Sequence, residues 1–245
     1  MKTKKGKGFL GSQCALLIIV LGVLLALALP GCRYPQDIEH TMERLQGGAL
    51  EVGLTENPPW VIRREDGPAG LEPDIIRSLA ERLNAEIHWH WGSEDRLLAA
   101  LQHRQLDLVI GGLTNSSRLS QQAALTRPYY QSRYTVGFPS GIPLTTSLEG
   151  LEVAIPSVNH MYAALKERNA KPIKVANITR AEGPVAGPTW WLSAHGLVAG
   201  PWEIITDKQV MALPKGENAW MLALQRHLNG YSNIEQRLQQ LEATQ

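Results

Sequence analysis

Apolar and polar positions change places in short bursts along most of the 245-residue chain. Ala49 to Leu54 reads as a short strand that runs into the turn-rich Thr55-Glu56-Asn57-Pro58-Pro59-Trp60. Val61-Ile62 extends the chain again, and Asp66-Gly67-Pro68 turns it. From Glu72 to Asn84 the period lengthens. Ile75, Ile76, Leu79 and Leu83 form an apolar helical face, and Pro73 and Asp74 suit a first turn. Glu86 to Trp91 then alternates, with Ile87, Trp89 and Trp91 on one side and His88 and His90 on the other. Ser93 is placed to cap a helix carrying Leu97, Leu98 and Leu101. Leu106 to Ile110 reads as a buried strand that ends at Gly111-Gly112.

A second series follows Pro128-Tyr129-Tyr130 and an extended stretch through Tyr134 to Phe138. Strands are expected at Leu151–Ile155 and Ile173–Ala176, and helices at Asn159–Arg168 and Thr189–His195, the latter stopped by Gly196. Lys208 to Leu213 is extended. Two helices close the chain, from Glu217 to Leu228 and from Ser232-Asn233-Ile234-Glu235, which has capping-box spacing. Strands alternating with helices predict an α/β fold with parallel pairs, in two units joined by extended segments.

The amino terminus breaks this pattern. Lys2, Lys4, Lys5 and Lys7 precede an apolar run from Ala15 to Leu29, interrupted only by Gly22. The run is short for a bilayer span, which needs about 20 residues, and a basic start with a short apolar core fits a secretory signal. An uncleaved anchor is the alternative. Leu29-Pro30-Gly31-Cys32 resembles a bacterial lipobox, which implies cleavage before Cys32, lipidation of its thiol and a membrane anchor. Pro30 departs from the residue usual there, and an ordinary signal with an incidental cysteine is the competing reading.

Loss of residues 1–31 changes the charge. The whole chain carries 24 basic and 23 acidic residues, a net +1. Taking away the four leader lysines leaves 20 against 23, a mildly acidic body. Cys14 leaves with the leader, so Cys32 is the one cysteine of the mature chain, and disulfides, cysteine nucleophiles and cysteine-ligated metals are excluded from its folded part. Residues 33–47 are polar and read as a tether ending at Gly47-Gly48.

The stretches Leu50-Glu51-Val52-Gly53-Leu54 with Pro58-Pro59-Trp60, Gly70-Leu71-Glu72-Pro73-Asp74-Ile75, Leu97-Leu98-Ala99-Ala100-Leu101, Asp107 through Thr114, and Thr126-Arg127-Pro128-Tyr129-Tyr130 occur in an order and spacing that resemble the bacterial extracellular solute-binding proteins of family 3. Leu148 to Ala154 and Leu213-Pro214-Lys215-Gly216-Glu217 resemble that family's second-lobe opening and return crossover. The resemblance implies a two-lobed periplasmic-binding-protein-like fold of type II. Its expected parts are a leader at 1–31, a tether at 32–47, a first lobe at 48–137 plus 215–245, and a shortened second lobe at 138–214. It implies a monomer in the periplasm that passes a small polar solute, an amino acid or related carboxylate, to an ABC permease in the inner membrane.

The same resemblance nominates ligand contacts. Trp60 stands at an aromatic ligand-packing position and Glu56 near a polar contact of the first loop. Gly111, Gly112 and Thr114 should sit at the cleft edge, the glycines letting a ligand approach the backbone. Arg118 is the candidate for a bidentate carboxylate clamp, although an ungapped count places the family arginine on Leu119, and Arg127 is a second candidate. Gly187 occupies the place of the family's ammonium-binding Asp, with Glu182 nearby but out of register. Trp190 and Trp191 either line the cleft or pack the lobe, and because adjacent helical residues diverge, at most one should line the cleft.

Other chemistry finds little footing. His88 and His90 share a strand face but lack an evident third ligand, so no metal is expected, and no cofactor fingerprint appears. The charges form no basic patch for nucleic acid. Two readings compete with a receptor. One is an enzyme resembling periplasmic cyclohexadienyl dehydratases, with Glu56, Glu72 or Glu182 as a cleft acid. The other is a ligand-sensing module like the solute-binding-type domain of some lytic transglycosylases.

Overall fold

The computed structural model describes residues 36–244, so the expected leader, its cleavage site and the lipid site at Cys32 lie outside the described residues. Helix α1 (Thr41–Leu45) leads into strand β1 (Ala49–Leu54), hairpin β2 (Ile62–Arg64) and β3 (Gly67–Ala69), and helix α2 (Leu71–Leu83). Strand β4 (Glu86–Trp91), helix α3 (Glu94–Gln102), strand β5 (Leu108–Ile110), helix α4 (Ser117–Gln122) and strand β6 (Ala124–Leu125) follow. The long β7 (Tyr130–Phe138) carries the chain to β8 (Glu152–Pro156), α5 (Tyr162–Glu167), β9 (Lys171–Val175), β10 (Val185–Pro188), α6 (Thr189–Ala194) and β11 (Val198–Ala199). It returns along β12 (Ile205–Gln209) to β13 (Ala212–Leu213), α7 (Asn218–Asn229) and α8 (Ile234–Glu242).

The first sheet has the order β4-β1-β5-β13-β6, with β4, β1 and β5 parallel and β13 antiparallel to both its neighbours. Apart from Ala49 and Glu51 at the start of β1, its central strands are apolar and buried, because helices cover both faces. One face packs Leu50, Leu54, Ile75, Ile76, Trp220 and Leu224 together, the other Leu97, Leu101, Val109 and Val210. Edge strand β4 keeps the expected alternation, with Ile87, Trp89 and Trp91 partly buried and His88 and His90 exposed. The second sheet runs β11-β7-β10-β8-β9 around a core of Val136, Phe138, Val153, Ile155 and Leu165, and β12 also pairs with β7. Thus β7 and β12 form an antiparallel two-stranded crossing between the lobes.

Three local expectations need correction. The polar stretch expected as a tether is folded from Asp37 onward. The Asp37 carboxylate accepts from Met42 N through one oxygen, and through the other from Ala219 N and Trp220 N at 2.6 and 3.0 Å, which caps α7. Leu45 is fully buried and Arg44 pairs with Asp107, so α1 has an apolar side that composition alone hid. The return is also earlier than 214, since Ala212 and Leu213 already pair in the first sheet. Neither expected serine cap forms: Ser93 makes no side-chain cap, and α8 starts at a left-handed Asn233 while Glu235 accepts from the Thr189 hydroxyl at 3.1 Å.

Candidate functional site

The first-lobe loops are organised by a buried acid. Glu72, in the first turn of α2, is fully buried, and its Oε2 accepts from Gly111 N at 2.7 Å and Gly112 N at 2.9 Å. The Tyr129 hydroxyl donates to its Oε1. Burial pushes the Glu72 carboxyl above the usual carboxylate range, and it pushes the Tyr129 hydroxyl well up, helped by the adjacent carboxylate. The chain on either side needs glycine. Gly112 sits at φ 64°, and a Cβ there would lie 2.6 Å from Trp60 Cδ1. Gly70, at φ 108°, leaves room for the Pro59 and Trp60 carbonyls, which a Cβ would meet at 2.7 Å. Those carbonyls accept from Leu71 N and Glu72 N at 3.1 and 3.0 Å, which fixes Trp60 beside α2.

Trp60 is therefore held at the junction of the lobes. Its ring meets Tyr129 at 6.3 Å, Tyr130 at 5.9 Å and Trp190 at 6.5 Å, the last edge-on at 85°. Trp190 belongs to α6 of the second lobe, and its Nε1 donates to the Ser132 hydroxyl on β7 at 3.1 Å. Helix α6 also packs on α8, where His195 Nε2 lies 3.8 Å from Glu242.

Behind this junction lies a cavity of about 240 Å³, lined among others by Tyr134, Asn159, His160, Gly187, Trp190 and Trp191. Both tryptophans line it, against the expectation of at most one. The reason is Gly187: a Cβ there would stand 3.3 Å from Trp191 Cε3, so the missing side chain lets the second indole lie over the strand. His160 Nε2 faces Asp207 Oδ2 at 3.0 Å, and the Tyr134 ring meets the imidazole edge-on at 5.1 Å. The bond to Asp207 raises the His160 pKa, while burial and Asp207 push the Tyr134 hydroxyl up. Asn159 caps α5, its Oδ1 accepting from Met161 N and Tyr162 N, both at 3.0 Å.

The structure brings Trp60, Gly111 and Gly112 together around Glu72 and disperses the other nominated residues. Glu56 is exposed and 3.7 Å from Arg63. Thr114 is exposed and bridges the backbone of Gln209 on the return strand. Arg118 pairs with Asp95 at 2.6 Å where both side chains are more than 70% exposed, and Leu119 beside it is buried in the first-lobe core. Arg127 is exposed, with its N–H donating to Gln225, and Glu182 is exposed. None of the eight lines the cavity. Sequence reading missed Ser132, His160 and Asp207. The signal for His160 was its place in the first turn of the helix expected from Asn159; Asp207 gave none, because only the β7–β12 pairing brings it near. On β4 both histidines are taken up by Glu51 on β1, whose two oxygens meet His88 Nδ1 at 2.8 Å and His90 Nε2 at 2.6 Å. Among the described residues no group of three or more His, Cys, Asp or Glu is arranged to hold a metal ion.

Comparison with known proteins agrees with this architecture. An ancestral cationic amino acid solute binding protein superposes with a TM-score of 0.66 at 18% identity, over 82% of this chain and 98% of that one. The unliganded, open L-cystine solute receptor of Neisseria gonorrhoeae gives 0.64 at 17%, over 77% of this chain and 89% of the receptor. At such identities the likeness is one of fold. In sequence, membrane-bound lytic murein transglycosylase F of Vibrio cholerae is 30% identical over 116 residues, 46% of this chain and 22% of the transglycosylase. The corresponding protein of Actinobacillus pleuropneumoniae is 27% identical over 128 residues, 50% of this chain and 26% of its own length. The chain thus matches only about a quarter of these relatives. A family model matches residues 50–242, which takes in both sheets and both crossing strands, and the chain belongs to the bacterial extracellular solute-binding proteins, family 3.

Proposed function

We propose that this protein captures a small solute in the bacterial periplasm, in the cavity between Tyr134, Trp190 and Trp191. The observation that carries this reading is the placement of that cavity. It abuts the strand that crosses between the lobes, and His160 on its wall is paired with Asp207 on the strand that returns. A solute there touches the second lobe, the base of the crossing and Trp190, whose ring meets Trp60 of the first lobe, so its binding bears on the joint about which hinged lobes close. The chain is held at a membrane through lipidated Cys32, acts as a monomer and delivers its solute to an ABC permease of the inner membrane. Among the described residues no helix is long and apolar enough to cross a membrane.

A sensing module is the second reading. Two observations favour it: the similarity to part of membrane-bound lytic murein transglycosylase F, and the contact of α6 with α8, which ties the lobes without a ligand. The dehydratase-like reading has less support. Glu72 is occupied by two amides and a tyrosine, and Glu56 and Glu182 lie exposed away from the cavity.

Thermal-shift screening of the purified chain against small solutes tests the proposal. A stabilising solute recovered unchanged supports a receptor, and conversion of the solute supports an enzyme. Absence of stabilisation by any small solute contradicts both.

A further inference from the structure

We infer that the solute this cavity selects is an uncharged, ring-sized and mainly apolar molecule, and not a zwitterionic amino acid. The inference rests on the proposed solute-binding role of the cavity and names the chemistry of its ligand. Three aromatic side chains, Tyr134, Trp190 and Trp191, supply much of the lining, together with Ala186 and Met161. The one ionisable side chain of opposite character to a carboxylate is His160, and Asp207 sits 3.0 Å from its Nε2. That carboxylate engages the imidazole, so His160 is not free to pair with a ligand carboxylate, and the described residues lining the cavity include no lysine, arginine, aspartate or glutamate.

Several of the remaining polar groups are occupied within the protein. Asn159 is taken up by the start of α5 and by the Pro156 carbonyl at 2.7 Å. The Trp190 indole N–H is taken by Ser132, and Asp207 acts on the Tyr134 hydroxyl. A charged ligand would leave water for a site without a counter-charge, which is costly. The positions that hold an amino acid's two charges in the resembling family are, in this chain, an inward-packed Leu119, an Arg118 paired outside with Asp95, and a Gly187 covered by an indole.

Size points the same way. An apolar cavity of roughly 150 Å³ accepts benzene. The 240 Å³ here suits a substituted single ring or a fused bicycle. Val158 at the cavity is 94% exposed, so the site opens to solvent on that side.

The test is calorimetric titration of the full chain with indole and p-cresol, and in parallel with arginine, glutamate and choline. Wild type is compared with Ala186→Leu, which fills the cavity, and with the milder Ala186→Val should the larger side chain prevent folding. The expected result is saturable binding of indole or p-cresol, weakened about tenfold or more by the filled cavity. Should a charged solute bind with the same sensitivity to Ala186 substitution while the uncharged probes do not, the receptor reading stands and the uncharged assignment falls. Binding of the probes that ignores both substitutions also overturns the assignment. Absence of binding by either class overturns the assignment and the receptor reading together.

Discussion

Trp190 Nε1 donates to the Ser132 hydroxyl at 3.1 Å, so a helix of the second lobe is anchored on the strand that crosses from the first. The same indole stands edge-on to Trp60. The two lobes therefore share an aromatic joint. Trp190→Phe keeps most of the packing and loses the hydrogen bond, and should lower stability by about 1 kcal/mol. Trp190→Ala removes the joint and should cost about 3–5 kcal/mol, the range for large-to-small core changes. Urea unfolding of the two variants measures both. Equal losses would show that the indole N–H, and not the ring, does the joining.

Glu72 gives the protein a pH signature. Burial raises its carboxyl pKa in the folded state, whereas an unfolded glutamate titrates near about 4.3. Between those two values the native state holds more protons than the unfolded state, so the Glu72 contribution to stability falls as pH rises through the window. Glu72→Gln removes that slope while keeping an acceptor for Gly111 and Gly112. Glu72→Ala strands the two amides and should cost about 1–3 kcal/mol at any pH. Denaturation midpoints from pH 4 to 8 check this, and parallel curves for wild type and Glu72→Gln would refute the signature.

Asp37 caps a helix nearly the whole chain away. Its carboxylate receives the amides of Ala219 and Trp220. Asp37→Ala should destabilise by about 0.5–2 kcal/mol, as lost caps do, and Asp37→Asn by less. Thermal unfolding reads the difference. A null effect would restore the view of this segment as a free tether.

Arg118 should be replaceable. Its partner Asp95 is as exposed as it is, and surface pairs of this kind contribute about 0–1 kcal/mol. Arg118→Ala should leave both stability and solute binding close to wild type. Loss of binding in a folded Arg118→Ala would show that this side chain reaches the ligand.

Much of the fold was legible because it rests on periodicity. Glu72 to Asn84 reads as a helix from its apolar spacing alone, and Glu86 to Trp91 as an edge strand from its alternation. The site was less legible because its members meet only through tertiary pairing. His160 and Asp207 are brought together by the crossing of β7 and β12, and Asp207 lies in a stretch with no motif. Family likeness pointed to the first-lobe loop, where Gly112 lies against the Trp60 ring. It also drew attention to Arg118, whose neighbour Leu119 turns into the core and leaves the arginine on the surface. The α1 segment is not legible in sequence because one buried Leu45 and one capping Asp37 outweigh an otherwise polar composition.

The most direct test of solute capture in this cavity is a crystal structure of the full chain with the small solute that stabilises it most in a thermal screen. The solute is expected between Tyr134 and the Trp190–Trp191 pair, in contact with the His160 side of the cavity. A solute seated instead against the Gly111–Gly112 loop and Arg118, with this cavity left unused, would contradict it.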